Sequence, residues 1–335
     1  MNLLHQGDQL AALEVVPAND TAAVAVVIPC WNAAPWIARA IQSVLDQDYA
    51  EVEVIVIDDG STDASLEAVK AFGDRIRWSS GPNRGACAAR NAGLEMAQAD
   101  WVLFLDADDY LEPGFVSAAL AAGGDLAVDM IVGASKRERP GGSVIIDAYP
   151  PGWGSEDILP RWLGGRYVQT GAIVWRAEYL KSIGGWNPKV RRSQDIELVL
   201  RALLLGARAQ TVDAGYCVWI DHASPLRIGS QSGRDAIESE LDFHEELLTL
   251  IGPSRPSLRL PMATRFHALA EQAYFRGYGD LGDSAMQRSR QLGFDGRVGP
   301  WRKRITTRLI GSKGYAGIRR AKAHLLSRLK AFRAR

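Results

Sequence analysis

Three carboxylates lie close together directly after an unbroken apolar run. Residues 101–105 are all apolar, and Asp106, Asp108 and Asp109 follow them. A short run without polar alternation predicts a strand that is buried on both faces, as in a parallel sheet. The carboxylates at its end repel one another and need a positive partner, and hard oxygen ligands favour Mg²⁺ or Mn²⁺. The sequence therefore predicts a divalent-metal site at one edge of a sheet.

Two earlier apolar segments also end in polar residues. Residues 22–28 are followed by Pro29-Cys30-Trp31-Asn32, and residues 52–57 by Asp58-Asp59-Gly60-Ser61-Thr62-Asp63, each before a predicted helix. Strands that alternate with helices in this way predict a parallel α/β sheet, in which ligands bind in the crevice at the carboxyl ends of the strands. We therefore expect all three polar segments to face one crevice.

The second half of the chain changes from mixed structure to helices alone. The pattern predicts strands over 128–135, 144–146, 166–175 and 210–220, and then helices over 234–251, 258–278 and 282–292. We divide the chain into four parts: an N-terminal extension (1–21), an α/β domain (22–232), a helical region (233–296) and a basic tail (297–335).

The composition is that of a globular protein of the cytoplasm. Hydrophobic residues make up 47% of the 335 residues, which is enough to form a sizeable core. The three cysteines form no Cys-x-x-Cys pair, so neither a disulfide framework nor a zinc site is expected. No signal peptide is visible, and the absence of an apolar run of about 18 residues argues against a membrane-spanning helix.

The charge is distributed unevenly along the chain. Residues 297–335 contain 13 Lys and Arg and no acidic residue, so a tail of about +13 balances a body of about −13. Ile318, Leu325 and Leu329 follow helical spacing within the tail, and a basic amphipathic helix is typical of contact with an anionic membrane surface. The alternatives are a solubilising tail and a helix that docks on the acidic body. No base-reading motif accompanies the charge, so nucleic-acid binding is not expected.

The polar motifs occur in the order that characterises a known family. Over residues 22–232 the chain resembles the inverting family 2 glycosyltransferases, which have the GT-A nucleotide-sugar-binding fold. The resemblance implies a mostly parallel central sheet flanked by helices, with a helical C-terminal extension. It is carried by the following segments in order: Val27-Ile28-Pro29-Cys30-Trp31-Asn32, Asp58-Asp59-Gly60-Ser61-Thr62-Asp63, Asn83-Arg84-Gly85, Ala89-Arg90-Asn91-Ala92-Gly93, Asp106-Ala107-Asp108-Asp109 and Gln194-Asp195.

The resemblance also implies which residues contact the donor nucleotide. The Trp31 ring either stacks on a uracil or only covers the sheet edge. Asp59 corresponds to the residue that hydrogen-bonds the base or ribose, and Asp58 can instead stabilise the turn. The implied donor-binding residues are Pro29, Trp31, Asp59, Asp106 and Arg90.

The metal site, by the same resemblance, uses the Asp-x-Asp element. Asp108 would bind the divalent ion, Asp106 would face the ribose or the metal, and Asp109 is either a ligand or a helix-entry residue. The family often has a histidine shortly before a Gly-Ser-x-Ser stretch. Here His222 is the nearest histidine to residues 229–232, and Arg227 occupies the usual spacing, so either residue completes the metal or pyrophosphate site.

Asp195 corresponds to the family's catalytic base. It would take the proton from the acceptor hydroxyl as that oxygen attacks the anomeric carbon opposite the leaving group. The usual Glu-Asp pair is Gln194-Asp195 in this chain. The preceding Gly184-Gly185-Trp186 either lines the acceptor side, where an indole can stack on a sugar, or is only a structural loop.

The function implied is that of a metal-dependent inverting glycosyltransferase with a UDP-sugar as donor. The acceptor would be a saccharide or a lipid-linked saccharide, reached by a peripheral protein at the inner face of the membrane. The alternative is a catalytically silent nucleotide-sugar or glycan-binding protein with the same fold. A nucleotidyltransferase would carry a glycine-rich phosphate loop, and a glycosidase would not need acids at successive strand ends.

Overall fold

The protein divides into two compact units. The computed structural model describes residues 23–123, 127–139, 141–221, 233–252, 255–294 and 311–322. The first unit comprises Met1–Ile158, Tyr167–Pro188 and Gly206–Ala223, and the second comprises Leu159–Arg166, Lys189–Leu205 and Ser224–Arg335.

A single nine-stranded sheet forms the framework of the first unit, in the order β3-β2-β1-β4-β8-β6-β9-β5, with β7 paired to β6. β3, β2, β1 and β4 are mutually parallel, and parallel and antiparallel pairs mix beyond β4. The strands are β1 (Val24–Cys30), β2 (Val52–Asp58), β3 (Arg77–Ser80), β4 (Trp101–Phe104), β5 (Tyr110–Leu111), β6 (Met130–Glu138), β7 (Val144–Asp147), β8 (Ile173–Arg176) and β9 (Ala209–Ile220).

Helices accompany the sheet in the first unit and make up most of the described second unit. The helices of the chain are α1 (Ile37–Leu45), α2 (Ser65–Lys70), α3 (Ala86–Met96), α4 (Phe115–Gly123), α5 (Ser155–Leu163), α6 (Ala177–Ser182), α7 (Gln194–Leu204), α8 (Arg234–Ile251), α9 (Arg259–Arg276) and α10 (Gly279–Gln291). Residues 311–322 are also helical and belong to the second unit. Within the described parts of the chain, no helix has the length and apolar composition needed to cross a membrane.

β1 is the buried centre of the parallel part of the sheet. Val24 pairs in register with Val52 of β2 on one side and with Trp101 of β4 on the other. Residues 24–28 have no exposed surface, as expected for an apolar strand that is covered on both faces. This register brings the carboxyl ends of β1, β2 and β4 to the same edge.

α3 packs on β1 through a glycine. A Cβ at Gly93 would lie 2.2 Å from Cγ1 of Val27, so no larger residue fits without a shift of the helix or the strand. This close approach fixes how near α3 lies to the sheet, and with it the position of the side chains one turn earlier on the helix.

The predicted fold class is confirmed, but three elements differ from the sequence-based expectation. The strand expected over 166–175 is limited to β8, because Thr170–Ala172 forms a 3₁₀ turn. A Cβ at Gly171 would lie 2.5 Å from Sγ of Cys217, so this turn packs directly on β9. The two-residue β5 and the short α6 were not predicted, since neither is long enough to show a hydrophobic period.

Replacing Gly93 by alanine tests the close packing of α3. Alanine in a helix interior is normally more stable than glycine by about 1 kcal/mol. Because of the contact with Val27, we expect Gly93→Ala instead to lower the free energy of unfolding by about 1–3 kcal/mol. Urea denaturation measures the change, with Gly81→Ala as the control because no atom lies within 4 Å of a Cβ built there. A stabilising Gly93→Ala would contradict the assigned packing.

Candidate active site

The three predicted carboxylates form one cluster at the edge of the sheet. One ligand oxygen each from Asp106, Asp108 and Asp109 can be chosen so that all lie within 4.8 Å of one another. Asp106 and Asp108 are half-buried, whereas Asp109 is buried. Three hard oxygen donors at this spacing are a ligand set that suits Mg²⁺ or Mn²⁺.

The acidic turn, residues 105–109, is held by strands at both ends. Before it, β4 pairs with β1, and the pairing extends into the turn because Leu105 N–H donates to the carbonyl of Val27 at 3.0 Å. After it, β5 pairs with β9. Inside the turn, Asp109 N–H donates to the carbonyl of Asp106 at 3.0 Å. The carboxylates are therefore carried by well-paired backbone and not by a free loop.

A buried arginine supplies the positive partner that the cluster needs. Nη2 of Arg90, on α3, lies 2.6 Å from Oδ1 of Asp106. The guanidinium also lies over the ring of Trp186, with 4.4 Å between its central carbon and the ring centroid. Arg90 is only 6% exposed, so the ion pair lies where solvent screens it weakly. Asp106 is thus neutralised in part.

Trp186 is a packing residue and does not present its ring to a sugar. It is 1% exposed, and its ring meets Phe104 edge to face at a centroid distance of 5.1 Å. The side-chain amide of Asn91 binds its backbone on both sides, accepting from Trp186 N–H and donating to Trp186 C=O, each at 2.8 Å. A Cβ at Gly185 would lie 2.6 Å from Oδ1 of Asn91. The sequence left open whether Gly184-Gly185-Trp186 lines the acceptor side or is only a structural loop. For the indole of Trp186, the structural interpretation holds.

Arg39 is a neighbour of the cluster that the sequence did not indicate. From α1 it donates to the backbone carbonyl of Asp108 at 2.9 Å, and its guanidinium lies 4.8 Å from the ring centroid of Tyr110. The side chains of α1 that face outward show no motif. The only sequence signal was the position of Arg39 one turn into the helix that follows β1.

The ends of β1 and β2 are joined by hydrogen bonds between their loops. Asn32 N–H donates to Oγ of Ser61 at 3.0 Å, and Oδ1 of Asn32 accepts from Thr62 N–H at 2.8 Å. Asn32 has a φ of +49°, which asparagine tolerates better than most residues. Beside it, Pro29 is half-buried in β1 and Trp31 is 42% exposed, so its ring is accessible.

Asp58 and Asp59 both bind neighbouring loops. Asp58 accepts from the hydroxyl of Ser80 at 2.7 Å. Asp59 accepts from two backbone amides, Arg84 N–H at 2.7 Å and Gly85 N–H at 2.8 Å, one with each carboxylate oxygen. Gly85 is the residue directly before α3, so Asp59 fixes where that helix begins. Each oxygen retains a second lone pair, and Asp59 can therefore still accept from a ligand.

Asp195 lies in the second unit, in the first turn of α7, and is half-buried. A carboxylate there is favoured by the helix dipole. Its neighbour Gln194 donates to the backbone carbonyl of Val190 at 2.9 Å. Glu197 is 3% exposed and bound to Arg201 at 2.6 Å, so that second acid is already paired within the helix.

A buried carboxylate on α8 holds the residue that precedes α7. Oε1 of Glu240 accepts from the hydroxyl of Ser193 at 3.2 Å and from the guanidinium of Arg265. Nε of Arg192 lies 3.7 Å from the other oxygen of Glu240. Ser193 has a φ of +57°, a conformation that needs such support in a residue other than glycine. Glu240 thus helps to position the turn that carries Asp195, and no sequence motif marked it.

The two candidates for completing the metal or pyrophosphate site, His222 and Arg227, lie outside the residues that the structure describes. The described site residues of the first unit are brought together at one sheet edge. They are Pro29, Trp31, Asp59, Arg90, Asp106 and Asp108.

Comparison with known proteins identifies the family. The family model for glycosyl transferase family 2 matches residues 25–184. The succinoglycan biosynthesis protein ExoU of Rhizobium meliloti is 31% identical over 261 residues, which cover 73% of this chain and 74% of ExoU. The chain therefore belongs to glycosyl transferase family 2. This confirms the family that the sequence motifs predicted. The chain spans only about a fifth of the length of two other curated relatives.

Solved structures confirm the GT-A fold. Residues 1–349 of TarS from S. aureus, in complex with UDP-GlcNAc, match with a TM-score of 0.58 and 16% identity over 80% of this chain and 90% of that one. The mannosyltransferase PcManGT from Pyrobaculum calidifontis, in complex with GDP-Man and Mn²⁺, matches with a TM-score of 0.54 and 18% identity over 94% and 90% of the two chains.

Cys30 offers a test of the packing at the end of β1. Burial, and secondly the charge of Asp58, raises the pKa of its thiol to about 12. Because only the thiolate reacts, we expect iodoacetamide at about pH 8 to leave Cys30 unmodified in the folded protein and to alkylate it in urea, where the pKa returns to about 8.5. Mass spectrometry of the peptide that contains residue 30 measures both rates. Equal rates in the two states would show that this strand end is open.

Proposed function

We propose that the protein is a metal-dependent inverting glycosyltransferase that moves a sugar from a nucleoside-diphosphate donor to a hydroxyl group of an acceptor. The observation that carries the proposal is the acidic turn with its buried Arg90 partner, placed at a sheet edge in a chain of family 2. The class is supported further by relatives whose names refer to polysaccharide biosynthesis or glycosyl transfer.

Asp108 is the principal metal ligand in this proposal, and Asp106 the second. This assignment follows the family's Asp-x-Asp element, and the oxygens of the acidic turn lie close enough together to share one divalent ion. A bound Mg²⁺ or Mn²⁺ supplies stabilisation of the negative charge that develops on the departing diphosphate. The presence of Mn²⁺ in the complex of PcManGT supports a divalent ion here. His222 is proposed as a further metal ligand; the alternative is that Arg227 binds the pyrophosphate of the donor by charge-assisted hydrogen bonds.

The donor lies, in this proposal, along the edge formed by β1, β2 and β4. The accessible ring of Trp31 stacks on the base beside Pro29, and Asp59 accepts a hydrogen bond from the base or the ribose. Arg90 contributes to donor binding by holding Asp106 in place. We take a UDP-sugar as the donor, as in the TarS complex with UDP-GlcNAc; the GDP-Man complex of PcManGT gives the alternative nucleotide to be tested.

Asp195 is the proposed general base. It accepts the proton of the acceptor hydroxyl while the acceptor oxygen forms a bond to the anomeric carbon. The bond from that carbon to the diphosphate oxygen breaks on the opposite side, and its electron pair leaves with the nucleoside diphosphate. One displacement of this kind inverts the anomeric configuration. Gln194 cannot share the proton, so the base function rests on Asp195.

The acceptor and the location of the protein are also proposals. We propose a saccharide or lipid-linked saccharide acceptor and a cytoplasmic protein that contacts the inner face of the membrane through residues 297–335. Within that tail the structure describes residues 311–322, a helix in which Ala316 is buried and Ile318 is 57% exposed. An exposed apolar residue on a basic helix is compatible with interfacial binding.

Replacing Asp108 by asparagine tests the metal site. In the original protein we expect UDP with Mn²⁺ to raise the melting temperature, and at about 100 times the dissociation constant the gain is about 2.7 kcal/mol. Asp108→Asn should lose most of the Mn²⁺-dependent part, because the amide removes the charge that attracts the ion. Asp213→Asn, an exposed acid on β9, is the control and should keep the whole shift. A full shift in Asp108→Asn would rule out Asp108 as a ligand.

Replacing Asp195 by asparagine separates binding from catalysis. We expect the variant to keep the donor-dependent rise in melting temperature but to transfer sugar about 10²–10⁴ times more slowly, because asparagine cannot take the proton. Release of the nucleoside diphosphate measures transfer, and Asp242→Asn, an exposed acid on α8 of the same unit, is the control. Unchanged transfer would refute Asp195 as the base. An original protein that binds donors but transfers none would favour the silent alternative.

A further inference from the structure

A cleft of about 310 Å³ in the second unit is lined by arginines that the proposed reaction does not use. It lies along α9 and the helical residues 311–322, and its charged lining includes Arg265, Arg276 and Arg319, with one carboxylate, Glu271. Phe275 forms an apolar part of the wall. All of these residues belong to the second unit.

The carboxylates near this arginine cleft already interact with positively charged or titratable side chains. Glu240 serves two guanidinium groups, since it binds Arg265 and lies 3.7 Å from Arg192. Glu271 lies 3.4 Å from Nε2 of His267, four residues earlier on the same helix. With the side-chain amide of Gln272 turned so that its oxygen faces Arg192, both Nη atoms of that arginine lie 2.8 Å from this oxygen. Among the described residues that line or adjoin the cleft, positive charge therefore exceeds negative charge.

Arg276 and Arg319 are the arginines of the cleft that can bind an added anion. Among the described residues, neither forms a side-chain ion pair with a carboxylate. Arg319 lies over aromatic rings, 5.3 Å from the ring centroid of Phe275 and 6.0 Å from that of Tyr315. Partial burial, and secondly the charge of Arg192, lowers the pKa of Arg276. Positive groups that crowd in this way are stabilised by an anion.

We propose that the arginine cleft binds a phosphate group, either free or on a lipid headgroup. Guanidinium groups match the tetrahedral oxygens of a phosphate with paired, charge-assisted hydrogen bonds, and several arginines can share one phosphate. The volume lies at the lower end for small-molecule sites, which suits a phosphate or diphosphate group with little else. The cleft shares no residue with the acidic turn and does not include Asp195. A test of phosphate binding in the cleft therefore gives a result that does not depend on the proposed transfer reaction.

Calorimetric titration of the full chain with pyrophosphate tests the site. EDTA is present throughout, so that pyrophosphate cannot bind through a divalent ion at the acidic turn. We expect binding that weakens with salt and that falls about tenfold in Arg276→Gln and in Arg319→Gln, since each loses one hydrogen bond to a charged group. Arg319→Lys keeps the charge but loses the planar, forked donor group. Its affinity for pyrophosphate should lie between that of Arg319→Gln and that of the original protein.

Arg320→Gln is the matched control. Arg320 follows Arg319 on the same helix and is likewise exposed, but it does not line the cleft. The Arg320→Gln substitution should leave the affinity for pyrophosphate unchanged. Melting temperatures equal to that of the original protein should show that all variants fold. An equal loss in Arg320→Gln and Arg319→Gln would mean unspecific attraction by the basic segment and would overturn the proposal.

Vesicle sedimentation distinguishes the two sources of phosphate. Full-length protein is mixed with vesicles of phosphatidylcholine alone or with added phosphatidylglycerol, and the same variants are compared. Binding to the anionic vesicles that requires Arg276 and Arg319 supports a lipid headgroup, whereas pyrophosphate binding without it supports a free phosphate compound. If neither pyrophosphate nor anionic vesicles bind with a dependence on these two arginines, the cleft is not a phosphate site.

Discussion

The ion pair between Arg90 and Asp106 is the interaction on which the acidic turn depends. Three carboxylates with oxygens within 4.8 Å repel one another, and one of them, Asp109, is buried. A buried guanidinium 2.6 Å from Asp106 offsets part of that repulsion. Arg90 in turn needs the ring of Trp186 beneath it and α3 at the correct distance from the sheet. The position of the candidate metal ligands thus depends on the packing of Arg90, Trp186 and α3.

The parts of the fold that sequence could predict are those written in local patterns. The apolar runs before Pro29, Asp58 and Asp106 indicate strands that are buried on both faces, and the structure confirms them as β1, β2 and β4. Because parallel strands place their carboxyl ends at one edge, the meeting of these polar segments also followed from the pattern. The helices after residue 233 were visible through their length and period.

The parts that sequence could not predict are contacts between distant residues. Arg39 binds the carbonyl of a residue 69 positions later, and Asn91 binds the backbone of a residue 95 positions later. No motif contains Arg39, and the motif that contains Asn91 does not reveal which backbone its side chain binds. The same holds for Glu240, whose bond to Ser193 spans 47 positions. For Trp186, an indole beside two glycines is compatible with a sugar platform and with a packing residue alike, and only the surrounding atoms decide between the two.

The double hydrogen bond of Asp59 has a consequence for how this protein can change by mutation. Its two oxygens bind the amides of Arg84 and Gly85, directly before the helix that carries Arg90. A substitution at Asp59 that altered nucleotide preference would therefore also release the start of α3 and loosen the neutralisation of Asp106. In the proposed donor site, the Asp59 side chain would thus couple selectivity for the donor to the charge balance of the acidic turn. If Trp31 stacks on the base as proposed, a new donor preference would arise more readily there, because Trp31 is exposed and, among the described residues, forms no hydrogen bond that holds the start of α3.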